Sequence, residues 1–338
     1  VRAVVVHPGM DVRVERVPDP GPCEDHGAVV AVRLAGICGS DLRTLRTGRT
    51  AHRPGHEFVG DVVAVGAGVG RWRPGSRVFG SALVGCGRCA HCRASDPLRC
   101  HDGSRVLGEG PDLPGAQADY VYVPAADRSL HAQGTFSDAT ALLLTDALPT
   151  GWAGAERLDV GPADDVLVVG LGPVGLCAVA VCSMRGARRI FVADPDGERR
   201  RSAERLGAEP LDPLLPVPEQ IREHTGGGAH CVFDAVGDRE SVAEAIRSAA
   251  VGGRVALLGM AVAADTPVPL RRVGAYGLTL HGVICAPSAI WPGLVPEVTA
   301  GRFDLDRIVA APRPLRDARH AYDDALAAIG GAKFPLRP

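Results

Sequence analysis

The stretch DVLVVGLGPVG, residues 165–175, decides how the rest of the chain is read. An apolar run leads straight into Gly170, Gly172 and Gly175, which stand in the G-x-G-x-x-G spacing. In such a turn the first glycine allows a sharp exit from a strand, the second lets the backbone approach a pyrophosphate, and the third lets helix and strand pack closely. The helix that follows offers free N–H groups to phosphate oxygens. The spacing alone is weak, but its surroundings supply the rest. An apolar helix begins at once, and nineteen residues beyond Gly175 the next strand candidate, RRIFVAD, ends on Asp194. Gly170, Gly172, Pro173, Val174 and Gly175 are therefore expected to face a dinucleotide. Asp194 can accept from both adenosine ribose hydroxyls and would repel a 2'-phosphate, which favours NAD; the alternative is a helix N-cap. Arg199, Arg200 and Arg201 pull toward NADP, because arginines near this position accommodate the extra phosphate.

Residues 166–184 carry no charge and by count alone could span a membrane. Three glycines and a proline near the front of the run favour a strand, a turn and a buried helix instead. Working outward, DVLVV, RRIFVAD, HCVFDAV, GRVALLG and LTLHGVI alternate with helical stretches such as ERRRSAERLGA and SVAEAIRSAAVGG. The second of these carries a glycine pair expected just past its helix. Such alternation implies an α/β unit, a doubly wound parallel sheet with helices on both faces, placed here at residues 148–286. Residues 1–147 consist of short Val-rich runs broken by Pro and Gly, as in EFVGDVVAVGAGVGRWRPGSRVFG, the pattern of a partly open β-barrel. Its opening VRAVVVHPGM lacks the apolar core of a secretory signal and reads as a first strand. The tail, 287–338, carries one helical pattern, RDARHAYDDALAAIGG, and is expected to pack back on the barrel.

A net charge of -2 and a pI near 6.6 remove the usual reason to expect nucleic acid or an anionic membrane, leaving a small-molecule partner. Arginine is heavily favoured over lysine, Lys333 being the only lysine among 338 residues, and this preference reads as compositional drift at solvated positions. The ten cysteines are too few for a disulfide scaffold and too clustered for core filling, so a reducing cytoplasm with metal sites is expected. Within CGRCAHCRASDPLRC, Cys86, Cys89, Cys92 and Cys100 have spacings that can wrap a tetrahedral zinc from a loop of little intrinsic structure. Four protein ligands leave no position for chemistry, so this site is structural. An iron–sulfur cluster is the lesser alternative.

GICGSD (36–41), PGHEFVG (54–60), the cysteine lobe and GLGPVG, in this order, resemble the zinc-dependent medium-chain dehydrogenases of the alcohol dehydrogenase superfamily. The resemblance covers essentially the whole chain. It implies a GroES-like barrel with a Rossmann cofactor domain, NAD, and two zinc ions, one catalytic and one structural. It implies Cys38 and His56 as the first two ligands of the catalytic zinc. Many relatives supply a cysteine as the third, where TDALPTG here has Asp146; this resembles the glutathione-independent formaldehyde dehydrogenase-like branch, in which an aspartate ligates. The alternative for Asp146 is a cap on the following helix.

The same resemblance makes Ser40 the proton-relay hydroxyl and Asp41 the carboxylate that orients the imidazole of His56. Glu57 would lie close to the metal and exchange with water, and Thr150 would stand against the nicotinamide. Arg43 replaces a histidine that often passes the proton to solvent, and a guanidinium cannot accept one. Either the proton leaves through water, or Arg43 holds phosphate or an anionic substrate group. The implied reaction is hydride transfer between an alcohol, or its aldehyde or ketone, and NAD. The rivals are a formaldehyde dismutase-like enzyme with tightly held NAD and a non-catalytic cofactor-binding regulator. A homodimer or homotetramer is implied through LTLHGVI, whose edge pairs between subunits in relatives. Cys23, Cys177, Cys182, Cys231 and Cys285 read as small core hydrophobes, and Trp152 and Trp291 as either cleft or core aromatics.

Overall fold

The computed structural model describes all residues except 22–23, 49, 111, 261–265, 285–286, 302–304 and 328–330, so Cys23 and Cys285 lie outside the described residues. The deciding stretch forms a strand at Asp165–Val169 and a helix at Pro173–Met184. That strand is buried along its whole length, as a central strand covered on both faces must be. Six parallel strands pair in the order Glu209–Pro210, Arg189–Ala193, Asp165–Val169, Ala229–Asp234, Ala249–Leu257, Thr279–Gly282. The order reverses at Asp165–Val169, so the crevice outside the carboxyl ends there is where a ligand fits this topology. Among the described residues no helix is long and apolar enough to cross a membrane.

One detail of the sequence reading is corrected. The helix expected to end at a glycine pair stops at Ser248, and the next strand starts at Ala249. Gly252, at φ +74, and Gly253 sit inside a bulge of that strand, where the register jumps from Ala249↔Ala229 to Arg254↔Cys231. The pair serves a strand irregularity, for which a left-handed glycine is equally suited.

The second large sheet is built on Ala28–Ile37. This strand pairs antiparallel with Phe58–Val65 on one side and, on the other, with Tyr120–Val123 at its start and Phe334–Arg337 at its end. Two register shifts against Phe58–Val65 bend it, which curls the sheet toward a barrel. The tail joins this sheet through Arg313–Pro314 and Phe334–Arg337; besides the expected helix, Ala318–Ala327, it carries a second at Pro287–Thr299, which its internal Pro292 and Pro296 hid from the sequence reading. One apolar cluster joins the sheets: Leu34, Val59 and Phe79 from the barrel meet Leu144, Leu148, Cys177 and Trp291. Cys177, Cys182 and Cys231 are buried, as expected of core cysteines. Trp291 is core as well, its indole N–H donating to the Leu144 carbonyl at 2.8 Å.

Candidate metal and cofactor site

Cys38 ends the long barrel strand and stands at the N-cap of the helix Gly39–Thr47. His56 and Glu57 precede the strand Phe58–Val65. Asp146 stands at the N-cap of Ala147–Arg157, yet its carboxylate makes no capping hydrogen bond. It turns instead toward Cys38 Sγ, 3.5 Å from its Oδ2, and His56 Nε2, 3.6 Å away. One ligand atom from each of Cys38, His56, Glu57 and Asp146 lies within 4.8 Å of the others. Three parts of the chain thus converge on a cluster with soft, borderline and hard donors, a set that zinc accepts.

The electrostatics of the cluster suit a cation. Burial opposes an imidazolium at His56, but the Cys38 sulfur and the Asp146 carboxylate outweigh it and raise its pKa well above the ordinary value. Burial likewise pushes the Asp146 carboxyl up, and hydrogen bonding and charge from His56 overturn that and hold it far below the usual range. His56 and Lys333 both gain proton affinity beside this donor set, as cationic groups do where a metal ion would suit.

Ser40 is the second residue of the helix that begins after Cys38, and its Oγ is buried without a hydrogen-bond partner among the described residues. Asp41 is buried, but it does not orient the imidazole in the expected way. Its Oδ2 accepts from the Cys38 amide at 2.9 Å and from Gln117 Nε2 at 3.3 Å, while His56 Nδ1 finds no partner among the described residues. Asp41 therefore fixes the cysteine rather than the histidine, because its place in the first helical turn points its carboxylate back at the N-cap amide. Arg43 reaches out of the relay altogether, donating to the Met260 carbonyl at 3.1 Å, beyond the strand Ala249–Leu257. Thr150 sits inside Ala147–Arg157 and donates back to the Asp146 carbonyl at 2.8 Å.

Glu57 brings in the residue that sequence reasoning misjudged. Lys333, given no role when the arginine preference was read as drift, is 2% exposed and donates to Glu57 Oε1 at 2.5 Å. Burial works against the ammonium, and Glu57, Cys38 and Asp146 outweigh it, so its pKa is raised. The available signal was its singularity: a chain that uses arginine elsewhere keeps one lysine.

In the phosphate-binding turn, Gly170 has φ +86. A Cβ on Gly175 would lie 1.9 Å from the Gly170 carbonyl oxygen, so helix and strand can approach this closely only through glycine. A Cβ on Gly172 would meet nothing within 4 Å, which leaves open space at the helix N-terminus that Pro173 and Val174 begin. Asp194 follows Arg189–Ala193; its Oδ2 accepts from the Leu171 amide at 2.8 Å and from Arg199 Nη1 at 3.2 Å. It caps no helix: Asp196 caps Gly197–Glu204. The residues fit a dinucleotide, with open space at the turn and a carboxylate at the ribose end.

The cysteine lobe is separate and local. Sγ atoms of Cys86, Cys89, Cys92 and Cys100 cluster within 4.8 Å, and backbone amides of Cys86, Cys89 and Cys92 donate to the sulfurs of Cys100, Cys86 and Cys89. Hydrogen bonds from the Cys92 and His101 backbone lower the Cys89 pKa to about 6, whereas burial pushes Cys92 up to about 12.

Residues 24–132 match the alcohol dehydrogenase GroES-like domain, and residues 173–300 match the zinc-binding dehydrogenase family. A probable zinc-binding alcohol dehydrogenase of Mycobacterium tuberculosis is 39% identical over 344 residues, covering 100% of this chain and 89% of that protein. The chain belongs to the zinc-dependent medium-chain dehydrogenases. Among solved structures of this family, the alcohol dehydrogenase TADH of Thermus sp. ATN1 superposes with a TM-score of 0.92 at 32% identity, covering 100% of this chain and 99% of that one. A zinc-binding dehydrogenase of Sinorhizobium meliloti bound to NADP superposes at 0.85 with 26% identity, covering 100% and 99%. The family's fold, a GroES-like barrel with a Rossmann sheet, is the architecture described above, and its members are oxidoreductases.

Proposed function

We propose that this oxidoreductase transfers a hydride between an alcohol, or its aldehyde or ketone, and NAD. The reading rests on Asp146, an N-cap aspartate whose carboxylate leaves its helix uncapped and faces Cys38 and His56. Those three residues would hold the catalytic zinc. A zinc ion with three protein ligands keeps a position for substrate and lowers the pKa of a bound alcohol as it does that of water. Ser40 Oγ, buried and without a partner among the described residues, receives the hydroxyl proton. Arg43 cannot pass it on, so the proton leaves through water, and Arg43 ties the helix Gly39–Thr47 to the Met260 end of the cofactor sheet. Thr150, held by its bond to Asp146, lines the nicotinamide side. Asp194 accepts the adenosine ribose and its charge favours NAD, with Arg199 partly offsetting it.

The four cysteines would hold a second, structural zinc. The catalytic unit comprises residues 1–147 and 287–338 and the cofactor unit 148–286, in a cytoplasmic homodimer or homotetramer joined along the outermost strand, Thr279–Gly282.

The test is NADH appearance when the purified protein and added NAD meet a panel of primary, secondary and polyhydroxy alcohols, before and after zinc removal. Turnover that vanishes without zinc supports the reading. Zinc-loaded protein that is silent with both NAD and NADP contradicts it. Aldehyde consumption without net NADH would instead identify the dismutase.

A further inference from the structure

We propose that Tyr322 and Gln117 form a positioning pair for the catalytic metal: the phenol fixes the Gln117 amide, and the amide holds Asp41 and, through it, Cys38. This rests on the assignment of Cys38, His56 and Asp146 as metal ligands.

Tyr322, on the tail helix Ala318–Ala327, is 0% exposed, and Gln117 is 1% exposed. Gln117 Nε2 donates to the Gly36 carbonyl at 3.0 Å and to Asp41 Oδ2 at 3.3 Å, and its Oε1 accepts from the Tyr322 hydroxyl at 2.8 Å. The direction of this chain of bonds is forced. A carbonyl and a carboxylate can only accept, so the amide must turn its NH2 toward them; a flipped amide would set three oxygens against one another. With the amide oxygen thus facing the tail, only a donor there completes it, and Tyr322 supplies that donor across 205 positions of sequence.

Gln117 also stands where the approaches to two ligands meet. Gly36 lies two residues before Cys38, and Asp41 accepts from the Cys38 amide. Gly55, the residue before His56, is pressed against Gln117: at φ +107, a Cβ there would lie 2.7 Å from Gln117 Cγ and 2.8 Å from its backbone nitrogen. The main chain of Gln117 is itself held, donating to the Pro54 carbonyl at 3.3 Å and accepting from the Val4 amide at 2.8 Å. Stability alone does not call for this pair, because two apolar side chains of the same shape would serve the core about as well without a polar group to desolvate. What the polar pair adds is orientation. Tyr322 and Gln117 are positioning residues that act through Asp41.

The experiment uses the full chain with cobalt(II) in place of the catalytic zinc. It reads cobalt affinity by chelator competition and the thiolate-to-cobalt absorption band. A band that Cys38→Ser leaves unchanged would refute the ligand assignment itself, a failure distinct from that of the pair. In Tyr322→Phe, which removes one oxygen, cobalt affinity falls by about tenfold, the low end of what outer partners contribute, and the band shifts while the cysteine lobe keeps its zinc. Placed in Asp41→Ala, the same change alters affinity by no more than about twofold, because its route to Cys38 is already cut. Gln117→Leu combined with Tyr322→Phe folds with a urea midpoint near that of wild type and shows a loss of affinity at least as large as Tyr322→Phe alone. Affinity of Tyr322→Phe within about twofold of wild type, or an equal loss with and without Asp41, overturns the proposal. If Tyr322→Phe does not fold, the double variant decides, and wild-type cobalt affinity there overturns it as well.

Discussion

The two clusters of candidate metal ligands are built in opposite ways. The cysteine lobe takes its four sulfurs from residues 86–100, and backbone amides of the same short stretch satisfy them. The Cys38 cluster takes donors from three distant places in the chain, and its outer partners are distant too: Gln117 to Asp41 across 76 positions, and Lys333 to Glu57 across 276. The lobe can form wherever its own loop folds. The second cluster exists only when barrel, cofactor sheet and tail are assembled, so its integrity reports on the whole fold.

The contrast is sharpest on removing metal. Stripping zinc with a strong chelator should disorder the lobe, since structural zinc supplies folding free energy there, on the order of 10 kcal/mol in small zinc modules. In the disordered lobe Cys89 and Cys92 lose the amide hydrogen bonds and the burial that set them apart and should then be alkylated at closely similar rates. Peptide mass spectrometry after a timed iodoacetamide pulse reads the rates, and labelling of Cys89 well ahead of Cys92 would mean that the lobe keeps its fold without metal.

A smaller effect is expected at Asp41. Asp41→Ala removes the acceptor of the Cys38 amide and of Gln117 and should weaken the catalytic metal by about 10- to 100-fold while sparing the lobe. Chelator competition with two kinetic phases would resolve it, and equal loss from both sites would break the distinction.

The smallest lies away from both clusters, at Asp119, which ties the strand Arg2–His7 to the barrel. Partial burial pushes its carboxyl up, but hydrogen bonds from the Arg2 guanidinium and amide outweigh that and hold it below the ordinary range. A depressed carboxyl stabilises the fold above about pH 4, its unfolded value, and loses that contribution as pH falls through the folded one. Asp119→Asn should therefore cost under about 1 kcal/mol at neutral pH and nothing in acid, read from urea midpoints at the two pH values. A cost that persists in acid would assign the effect to packing.

The two designs also explain what the sequence disclosed. Cysteine spacing and the glycine turn are local, and each implies its geometry through a few bonds, so the lobe and the strand–turn–helix at 165–184 could be read directly. The convergence of Cys38, His56 and Asp146 was legible only through resemblance, because no local rule brings positions 38, 56 and 146 together. Lys333 was given no role for the same reason: composition says nothing of burial, and its partner is fixed by a strand pairing at the far end of the chain. Asp41 was placed in the right cluster with the wrong partner, since helix geometry gave its carboxylate to the Cys38 amide.

The most direct measurement is the zinc content of Asp146→Asn by mass spectrometry under native conditions, paired with alcohol turnover. Loss of one zinc with the other retained, and a fall in turnover on the order of a thousandfold, is the result this account predicts. Two zinc ions retained with turnover unchanged would remove Asp146 from the metal site and contradict it.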